Sequence, residues 1–382
     1  MMSKLVPKLR FKEFSGDWEE KKLIEICNIN PTIDKLPNNF IYIDLESVVS
    51  GKLLIEKEMQ KENAPSRAQR VLKNGDVIYQ MVRPYQKNNL LCKFSSSTKY
   101  VASTGYAQLR AFDSNSFLYQ LIHIDTFINK VLEQSTGSSY PAINSKSLAK
   151  ITVVIPKSKE QQKIANTFTS LDNLIEAQTK KVETLKQHKK GLMQKLFPLD
   201  GEKEPKVRFD GFCGDWDKKA INEILTIGSG RDYKKLSNGN IPVYGTGGYM
   251  LSVDNYLYDG ESICIGRKGT IDKPMFLTGK FWTVDTLFYT HSFRQNIPRF
   301  IYLLFQKINW YNYNEASGVP SLSKVTIGKI NIFIPKPKEQ QKIANTFTSL
   351  DNLIEAQTKK VETLKQHKKG LMQKLFVNKE EN

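Results

Sequence analysis

The chain has 382 residues and a formal net charge of +18, from 57 Lys and Arg against 39 Asp and Glu. A basic balance of this size indicates a polyanionic partner, most simply nucleic acid. Its apolar runs are shorter than a membrane span, no secretory leader is expected, and the four cysteines form no CxxC pair. Composition therefore argues against membrane-spanning and zinc-ribbon classes and favours a soluble cytoplasmic protein.

A short motif near the N-terminus recurs in the second half of the chain. Residues 7–18 read PKLRFKEFSGDW, and residues 205–216 read PKVRFDGFCGDW. We call these two segments the entry motifs. Because an internal repeat sets the architecture before any local feature does, the chain is predicted to be a tandem of entry motif, variable segment and long helix, twice over.

The first variable segment is long enough for a small domain with its own core. Residues 75–83 are predicted to form a strand and residues 116–133 to be helical. Between them lie residue types that bind base edges and phosphates, since Arg pairs with guanine, Asn and Gln with adenine, and Lys with phosphate. The alternative for each is an ordinary solvated loop position. The candidate DNA-binding residues are Arg83, Tyr85, Gln86, Lys87, Asn88 and Asn89.

The most informative repeat is a predicted long helix. Residues 155–197 and 334–376 are identical except that Pro337 replaces Ser158. Each copy has apolar residues in steps of three and four, and the first has no Pro between residues 159 and 197, so a rod of roughly 57 Å is predicted. Gln178 and Lys189 interrupt the apolar seam, as polar residues that fix register do. The predicted packing residues of the helix pair are Phe168, Leu171, Ile175, Val182, Leu185, Leu192, Phe347, Leu350, Ile354, Val361, Leu364 and Leu371.

A rod of that length exposes its seam unless another helix covers it. The other copy is the natural partner, and the segment between the copies allows an antiparallel pair. The alternative is that each helix packs only on its own globular neighbour. The outward positions match as well, which indicates either a recent duplication or two copies of one partner protein. Six Lys in the last half of each helix form either a solvated helix end or a basic strip near phosphate or an acidic partner.

The second variable segment follows a polar linker at residues 198–206. Residues 241–249 and 261–267 are predicted to contain strands, and residues 297–310 a helix. Its candidate DNA-binding residues are Arg231, Lys234, Lys235, Arg267 and Lys268.

The predicted fold class is α+β, with two mixed globular domains separated by two long helices that form an antiparallel coiled coil. We expect domains at residues 1–155 and 204–334, and helix-containing segments at 156–203 and 335–382.

Motifs that carry catalysis are not found in the sequence. The four His have no HExxH spacing, and the Gly-rich stretches do not continue into a nucleotide-binding loop. Residues 209–214, FDGFCG, superficially resemble a methyl-donor loop, but a structural turn in the entry motif explains them better. The sequence predicts a binding protein, with no catalytic residue and no metal site.

The order of these parts resembles the specificity (S, HsdS) subunit of type I restriction-modification enzymes. The residues that carry the resemblance are Phe11 to Trp18 and Pro156 to Ala165 with its EQQ sequence, repeated as Phe209 to Trp216 and Pro335 to Ala344.

The resemblance implies two target-recognition domains, each reading one half of an asymmetric bipartite DNA target. It also implies that the helix pair spaces the domains and docks two methyltransferase (M) subunits, which restriction (R) subunits then join. S-adenosylmethionine, ATP and Mg would belong to those partners. The competing readings are a self-contained nuclease or methyltransferase, a coiled-coil scaffold that binds nucleic acid by charge alone, and a half-target protein acting as a homodimer.

Overall fold

The chain folds into two compact units that exchange the ends of their long helices. A computed structural model describes residues 5–31, 35–94, 98–199 and 201–377. The first unit comprises Met1–Thr179 with Lys359–Asn382, and the second comprises Lys180–Thr358. Each long helix therefore begins in one unit and ends in the other. None of the helices in the described part of the chain has the length and apolar character that crossing a membrane requires.

In the residues that the structure describes, the first unit contains twelve strands, three short helices, the beginning of one long helix and the end of the other. The strands are β1 (Glu19–Lys22), β2 (Cys27–Ile29), β3 (Asn39–Ile43), β4 (Val48–Val49), β5 (Lys52–Leu53), β6 (Lys57–Gln60), β7 (Ala68–Leu72), β8 (Val77–Gln80), β9 (Leu90–Leu91), β10 (Tyr100–Ser103), β11 (Tyr106–Ala111) and β12 (Thr152–Ile155). The helices are α1 (Asn115–Leu121), α2 (Asp125–Glu133), α3 (Ser145–Ala149) and the beginning of α4 (Ser158–Lys195).

Two four-stranded sheets form the body of the first unit. Their strand orders are β2-β11-β8-β9 and β6-β3-β10-β7, and β3 and β10 run parallel. β1 pairs with β12 in a separate antiparallel ribbon just before α4, and β4 pairs with β5 in a hairpin. All four residues of β8 are buried, which fits a central strand whose continuous apolar run is covered on both faces.

The second unit is built from the following elements. The strands are β13 (Asp217–Ala220), β14 (Thr226–Ser229), β15 (Asn238–Gly245), β16 (Gly248–Val253), β17 (Tyr258–Asp259), β18 (Ser262–Gly266), β19 (Met275–Leu277), β20 (Lys280–Thr283), β21 (Leu287–His291) and β22 (Asn331–Ile334). The helices are α5 (Ile221–Ile224), α6 (Pro298–Lys307), α7 (Lys324–Lys329) and the beginning of α8 (Pro337–Leu375), together with the end of α4.

The second unit has the same strand plan as the first although the variable sequences differ. Its sheets have the orders β14-β21-β18-β19 and β16-β15-β20-β17, with β15 parallel to β20 and β13 paired with β22. β8 and β18 therefore occupy equivalent central positions. The two units therefore share the strand order although their side chains differ. This is expected when the pattern of buried positions along each strand is the same.

One predicted element differs from the structure. Residues 116–133 form two helices rather than one, with a break at residues 122–124 between α1 and α2. The apolar periodicity continues across the break, because Leu121, Ile122 and Phe127 are all buried in one core. Periodicity alone therefore does not detect the change of direction.

The long helices pair antiparallel within each unit, as predicted. In the first unit, the ring centroids of Phe168 and Phe376 lie 6.1 Å apart, and further along α4 Asp172 accepts a hydrogen bond of 2.7 Å from Lys368, earlier in α8. The second unit repeats the arrangement, with Lys189 of α4 donating to Asp351 of α8 at 2.6 Å. A lysine at a seam position thus pairs with a fixed aspartate, which specifies the register of the two helices.

The two entry motifs hold the beginnings of the long helices. Arg10 donates to both carboxylate oxygens of Glu160 at 2.8 and 2.7 Å, where the Glu160 side chain is only 3% exposed. Arg208 binds Glu339 at the same two distances in the second unit. Bidentate pairing compensates a carboxylate that would otherwise be costly to bury. This contact explains why the entry motif and the EQQ sequence recur together.

Candidate nucleic-acid interface

The first candidate cluster lies on the loop between β8 and β9. The loop contains a short 3-10 turn, Pro84–Gln86, flanked by Arg83 and Lys87 in the left-handed region at φ 54° and 56°. Non-glycine residues rarely adopt this conformation, and it persists only where the surroundings enforce it. Tyr85 and Gln86 are exposed, whereas Arg83 and Lys87 are partly buried. Lys87 forms an ion pair of 3.0 Å with Asp125.

The amides of this loop build its shape. Gln80 donates through its backbone N–H to Asn89 Oδ1 at 2.8 Å and through its side chain to Gln86 Oε1 at 3.0 Å. Asn88 Oδ1 accepts from the backbone of Ser50. Asn89 is 1% exposed, and its amide nitrogen lies 3.3 Å from His123 Nε2. The polar atoms of Asn89 therefore bind other parts of the protein and help to shape the loop, and its role as a DNA contact stays a prediction.

His123 stabilises the same loop from behind in its neutral form. Its Nδ1–H donates to the carbonyl of Tyr119 at 2.6 Å, which leaves Nε2 to accept from the Asn89 amide. Burial lowers the pKa of His123 to about 4, and the nearby Lys368 and Lys87 act in the same direction. Protonation would place an N–H against the amide N–H of Asn89.

We expect acid to loosen the first unit through His123. With the pKa lowered from 6.5 to about 4 in the folded chain, the unfolded chain binds the proton more readily. The stabilisation is complete above pH 6.5 and is lost as the pH falls towards 4, by about 3 kcal/mol for a shift of this size. The difference in unfolding free energy between the natural chain and His123→Gln, followed from pH 7 to 4, measures this term. A constant difference over that range would contradict it.

The second unit places Arg267 and Lys268 on the equivalent loop, directly after β18. Both side chains are exposed and line a cleft of about 920 Å³ together with Lys324, and with Asp285 and Glu315. The backbone turns tightly here, because a Cβ on Gly266 would lie 2.0 Å from the carbonyl oxygen of Thr270. The structure thus brings two of the five predicted residues of this unit into one cleft.

The other three predicted residues of the second unit lie on a different loop. Arg231, Lys234 and Lys235 follow β14 and are all exposed. The backbone of Arg231 is fixed, since its N–H donates to Thr283 and its carbonyl accepts from Trp282 Nε1 at 2.8 Å. None of the three lines the cleft that contains Arg267. Their role as phosphate or base contacts stays a prediction.

The two candidate loops are anchored in the same way in both units. Arg83 N–H donates to the carbonyl of Pro141 at 2.7 Å, and Gly269 N–H donates to that of Pro320 at 2.9 Å. Each Pro belongs to a segment that precedes a short helix, α3 or α7; we call residues 136–142 and 315–321 the proline loops. Sequence comparison of the two halves aligns these prolines but does not indicate that they adjoin the candidate loops.

A basic cleft of about 480 Å³ adjoins the candidate loop in the first unit. Gln86 and Lys87 contribute one wall, and the last half of α8 contributes Lys365, Lys368 and Lys369. Lys365 and Lys369 are exposed, whereas Lys368 forms the ion pair with Asp172. Three of the six Lys in the last half of α8 therefore line this cleft beside the loop, and their contact with phosphate or an acidic partner stays a prediction.

The predicted helix-packing residues lie on the inner side of the helices. Phe168 and Phe347 are fully buried, Val182 and Val361 are 8% and 7% exposed, and the other eight are partly buried. Phe168 also belongs to the core of the first unit, so the alternatives of helix partner and globular neighbour both apply to it. The burial supports the packing role, which stays a prediction for each residue.

The described residues offer little chemistry of their own. They contain no group of three or more His, Cys, Asp or Glu side chains placed to hold a metal ion. Burial raises the pKa of Cys27 and of Cys264 to about 12, so these thiols are not activated nucleophiles. What the exposed loops offer is hydrogen-bond donors, positive charge and aromatic surface.

Comparison with known proteins agrees with this geometry. The family model described as type I restriction modification DNA specificity domain matches residues 15–187 and again 214–366. The type I restriction enzyme MjaVIII specificity subunit of Methanocaldococcus jannaschii is 27% identical over 64% of this chain and 66% of its own length. The HindI specificity subunit of Haemophilus influenzae is 28% identical over 48% of this chain and 41% of its own length. The first two relatives are thus matched over less than two thirds of their lengths.

Longer matches cover nearly the whole chain. The putative MjaX specificity subunit of M. jannaschii is 22% identical over 97% of this chain and 96% of its own length. The type I restriction-modification S subunit from M. genitalium has a TM-score of 0.65 and 16% identity, covering 98% of this chain and 99% of that one. A chain from a type I R-M system has a TM-score of 0.58 and 19% identity, covering 94% and 98%. These structures share the fold, and the family model matches most of the sequence. The chain therefore belongs to the type I restriction-modification DNA specificity family and carries two tandem specificity domains.

Proposed function

We propose that this chain is the sequence-recognition subunit of a type I restriction-modification complex and that each unit reads one half of an asymmetric bipartite DNA target. The observation that carries the proposal is that one strand plan occurs twice with different polar residues on equivalent loops, Arg83 to Asn88 in one unit and Arg267 to Lys268 in the other. Equivalent loops with different polar residues would bind two different DNA sequences, as a target with two unlike halves requires. Arg side chains supply base-edge contacts, and Lys side chains supply phosphate contacts.

We further propose that the paired long helices set the gap between the half-sites. Each helix has its beginning in one unit and its end in the other, so a change in helix length affects both units together. Contact with both half-sites through one chain makes the second contact effectively intramolecular.

The partners we propose are double-stranded DNA, two M subunits and, in the full complex, R subunits. The outward positions of the two helices are identical, which two copies of one M subunit would explain. S-adenosylmethionine, ATP and Mg are assigned to those partners rather than to this chain. Such a complex would act in the cytoplasm, where its DNA is.

Selection from random duplexes tests the proposal. The chain is assembled with its M subunits, and bound duplexes are sequenced after selection at two salt concentrations. We expect one enriched motif made of two unlike halves and a fixed gap. In the matched variant Arg267→Ala with Lys268→Ala, preference should change in one half only. A scaffold that binds by charge alone would enrich no motif, and a self-contained enzyme would modify or cut DNA without partner subunits; either result would reject the proposal.

A further inference from the structure

Arg83 and Tyr140 form a cation–π pair on the first unit. The guanidinium carbon of Arg83 lies 4.2 Å from the centroid of the Tyr140 ring. Tyr140 is 62% exposed, although its ring has a partner. The pair joins the two loops that the fold brings together, the candidate loop and the proline loop. The sequence indicates Arg83 as a candidate DNA contact and gives no signal for Tyr140.

The backbone under the pair is held on both sides. Arg83 N–H donates to the Pro141 carbonyl, and Ile143 N–H donates to the Met81 carbonyl at 3.0 Å. Thr136 and Ala142 exchange two hydrogen bonds of 2.9 Å, which close the proline loop on itself. Pro84, the next residue, is buried, and Arg83 has a left-handed backbone conformation that its surroundings maintain. The backbone that carries the side chains of Arg83 and Tyr140 is therefore fixed by hydrogen bonds.

The contact with the ring restricts how Arg83 presents its donors. An aromatic ring against the flat face of a guanidinium orients the group and leaves its N–H edge available for in-plane hydrogen bonds. Among the described residues Arg83 forms no ion pair with a carboxylate. A planar, pre-oriented fork of N–H donors matches the O6 and N7 acceptors of guanine in the major groove, whereas a lysine would act as a point charge.

We propose that Arg83 reads a guanine in the half-site bound by the first unit and that Tyr140 is its positioning residue. The inference rests on the proposed function, since it names a base within one half-site. The second unit has Val319, 56% exposed, at the place before Pro320 that Tyr140 takes before Pro141. An aliphatic side chain cannot orient a guanidinium by stacking, so the equivalent position of the second unit reads its half-site by another contact.

The test compares four variants in the assembled complex by selection from random duplexes. In the natural chain one position of one half-site should be almost always guanine. Arg83→Lys keeps the charge but not the fork, and it should lower the preference for guanine at that position by roughly 5- to 150-fold, the range expected for one bidentate base contact. Tyr140→Ala should lower it less, and Tyr140→Phe should restore it because the ring remains. Val319→Ala is the matched control and should leave that half-site unchanged.

A second measurement separates positioning from general weakening. The salt dependence of binding to the natural target should be the same for Tyr140→Ala and the natural chain, because no phosphate contact is removed. Unchanged guanine preference in Arg83→Lys, or equal loss at all positions of both half-sites in Tyr140→Ala, would overturn the inference while leaving the proposed function standing. A natural chain that enriches no motif would overturn the proposed function itself, and this inference with it.

Discussion

Replacement of Phe376 by Ala is expected to destabilise the first unit by about 3–5 kcal/mol, although Phe376 lies at the far end of the second repeat. The side chain is 1% exposed. Its ring centroid lies 6.4 Å from that of Trp18, 5.6 Å from Phe117 and 6.1 Å from Phe168, all in the first unit. The substitution would leave a cavity at the centre of an aromatic cluster that joins the entry motif, α1 and α4.

Amide hydrogen exchange resolved by peptide measures where the effect falls. In Phe376→Ala, exchange should accelerate in β8 and β11 of the first unit and stay unchanged in β18 and β21 of the second. Phe197→Ala is the matched control, because the same helix sequence ends there in the second unit and packs on Trp216, Phe300 and Phe347. It should give the opposite pattern. If Phe376→Ala accelerated amide hydrogen exchange mainly in the second unit, the end of α8 would not belong to the core of the first unit.

The sequence does not predict that each long helix ends in the core of the other unit. The heptad spacing and the absence of internal Pro predict the long helices from local periodicity, and the long segment between the two copies allows their antiparallel pairing. Which core each helix end completes depends on tertiary packing. Phe197 and Phe376 follow identical sequences, so no local pattern distinguishes the unit that each one enters.

At the candidate site, residue types predict which loop is involved, but only the fold shows where each side chain lies. The residue types of Arg83 and Lys87 indicate a loop that lies at the surface, but the same residue types also indicate Asn89, whose side chain is buried. An asparagine that reads a base and one that builds a turn have the same composition signal, and only the hydrogen bonds of Gln80 and His123 separate them. Tyr140 lies far from Arg83 in sequence, so their contact could not be inferred without the fold.

The sequence shows the entry motifs as repeats, but only the structure shows that each one contacts the beginning of a long helix. Arg10 and Arg208 stand in short exposed-looking stretches rich in charge, where the usual expectation is a solvated side chain. Each one instead neutralises a buried glutamate on the first turns of a long helix. A pair of distant motifs that recur together is a signal for such a contact, and the EQQ sequence carries its other half.

Loss of Arg10 should be as damaging as loss of a large core residue. Arg10→Met would leave the Glu160 carboxylate, 3% exposed, without its partner, and breaking a buried pair in this way costs about 3–5 kcal/mol. Part of that cost is the penalty of an uncompensated charge, so adding Glu160→Gln to Arg10→Met should recover stability. Denaturant unfolding of the two single variants and the double variant forms a cycle that measures the coupling.

A nearby pair supplies the control for charge alone. Lys163 and Glu13 lie 3.2 Å apart on the same entry motif and helix, but their side chains are 50% and 52% exposed. Water screens an exposed pair, so Glu13→Gln should change stability little. The cycle at Arg10 and the single change at Glu13 therefore involve the same two elements and opposite burial. Equal effects at the two sites would mean that burial of Glu160 does not govern the contact, and that the entry motif holds the helix through its aromatic residues instead.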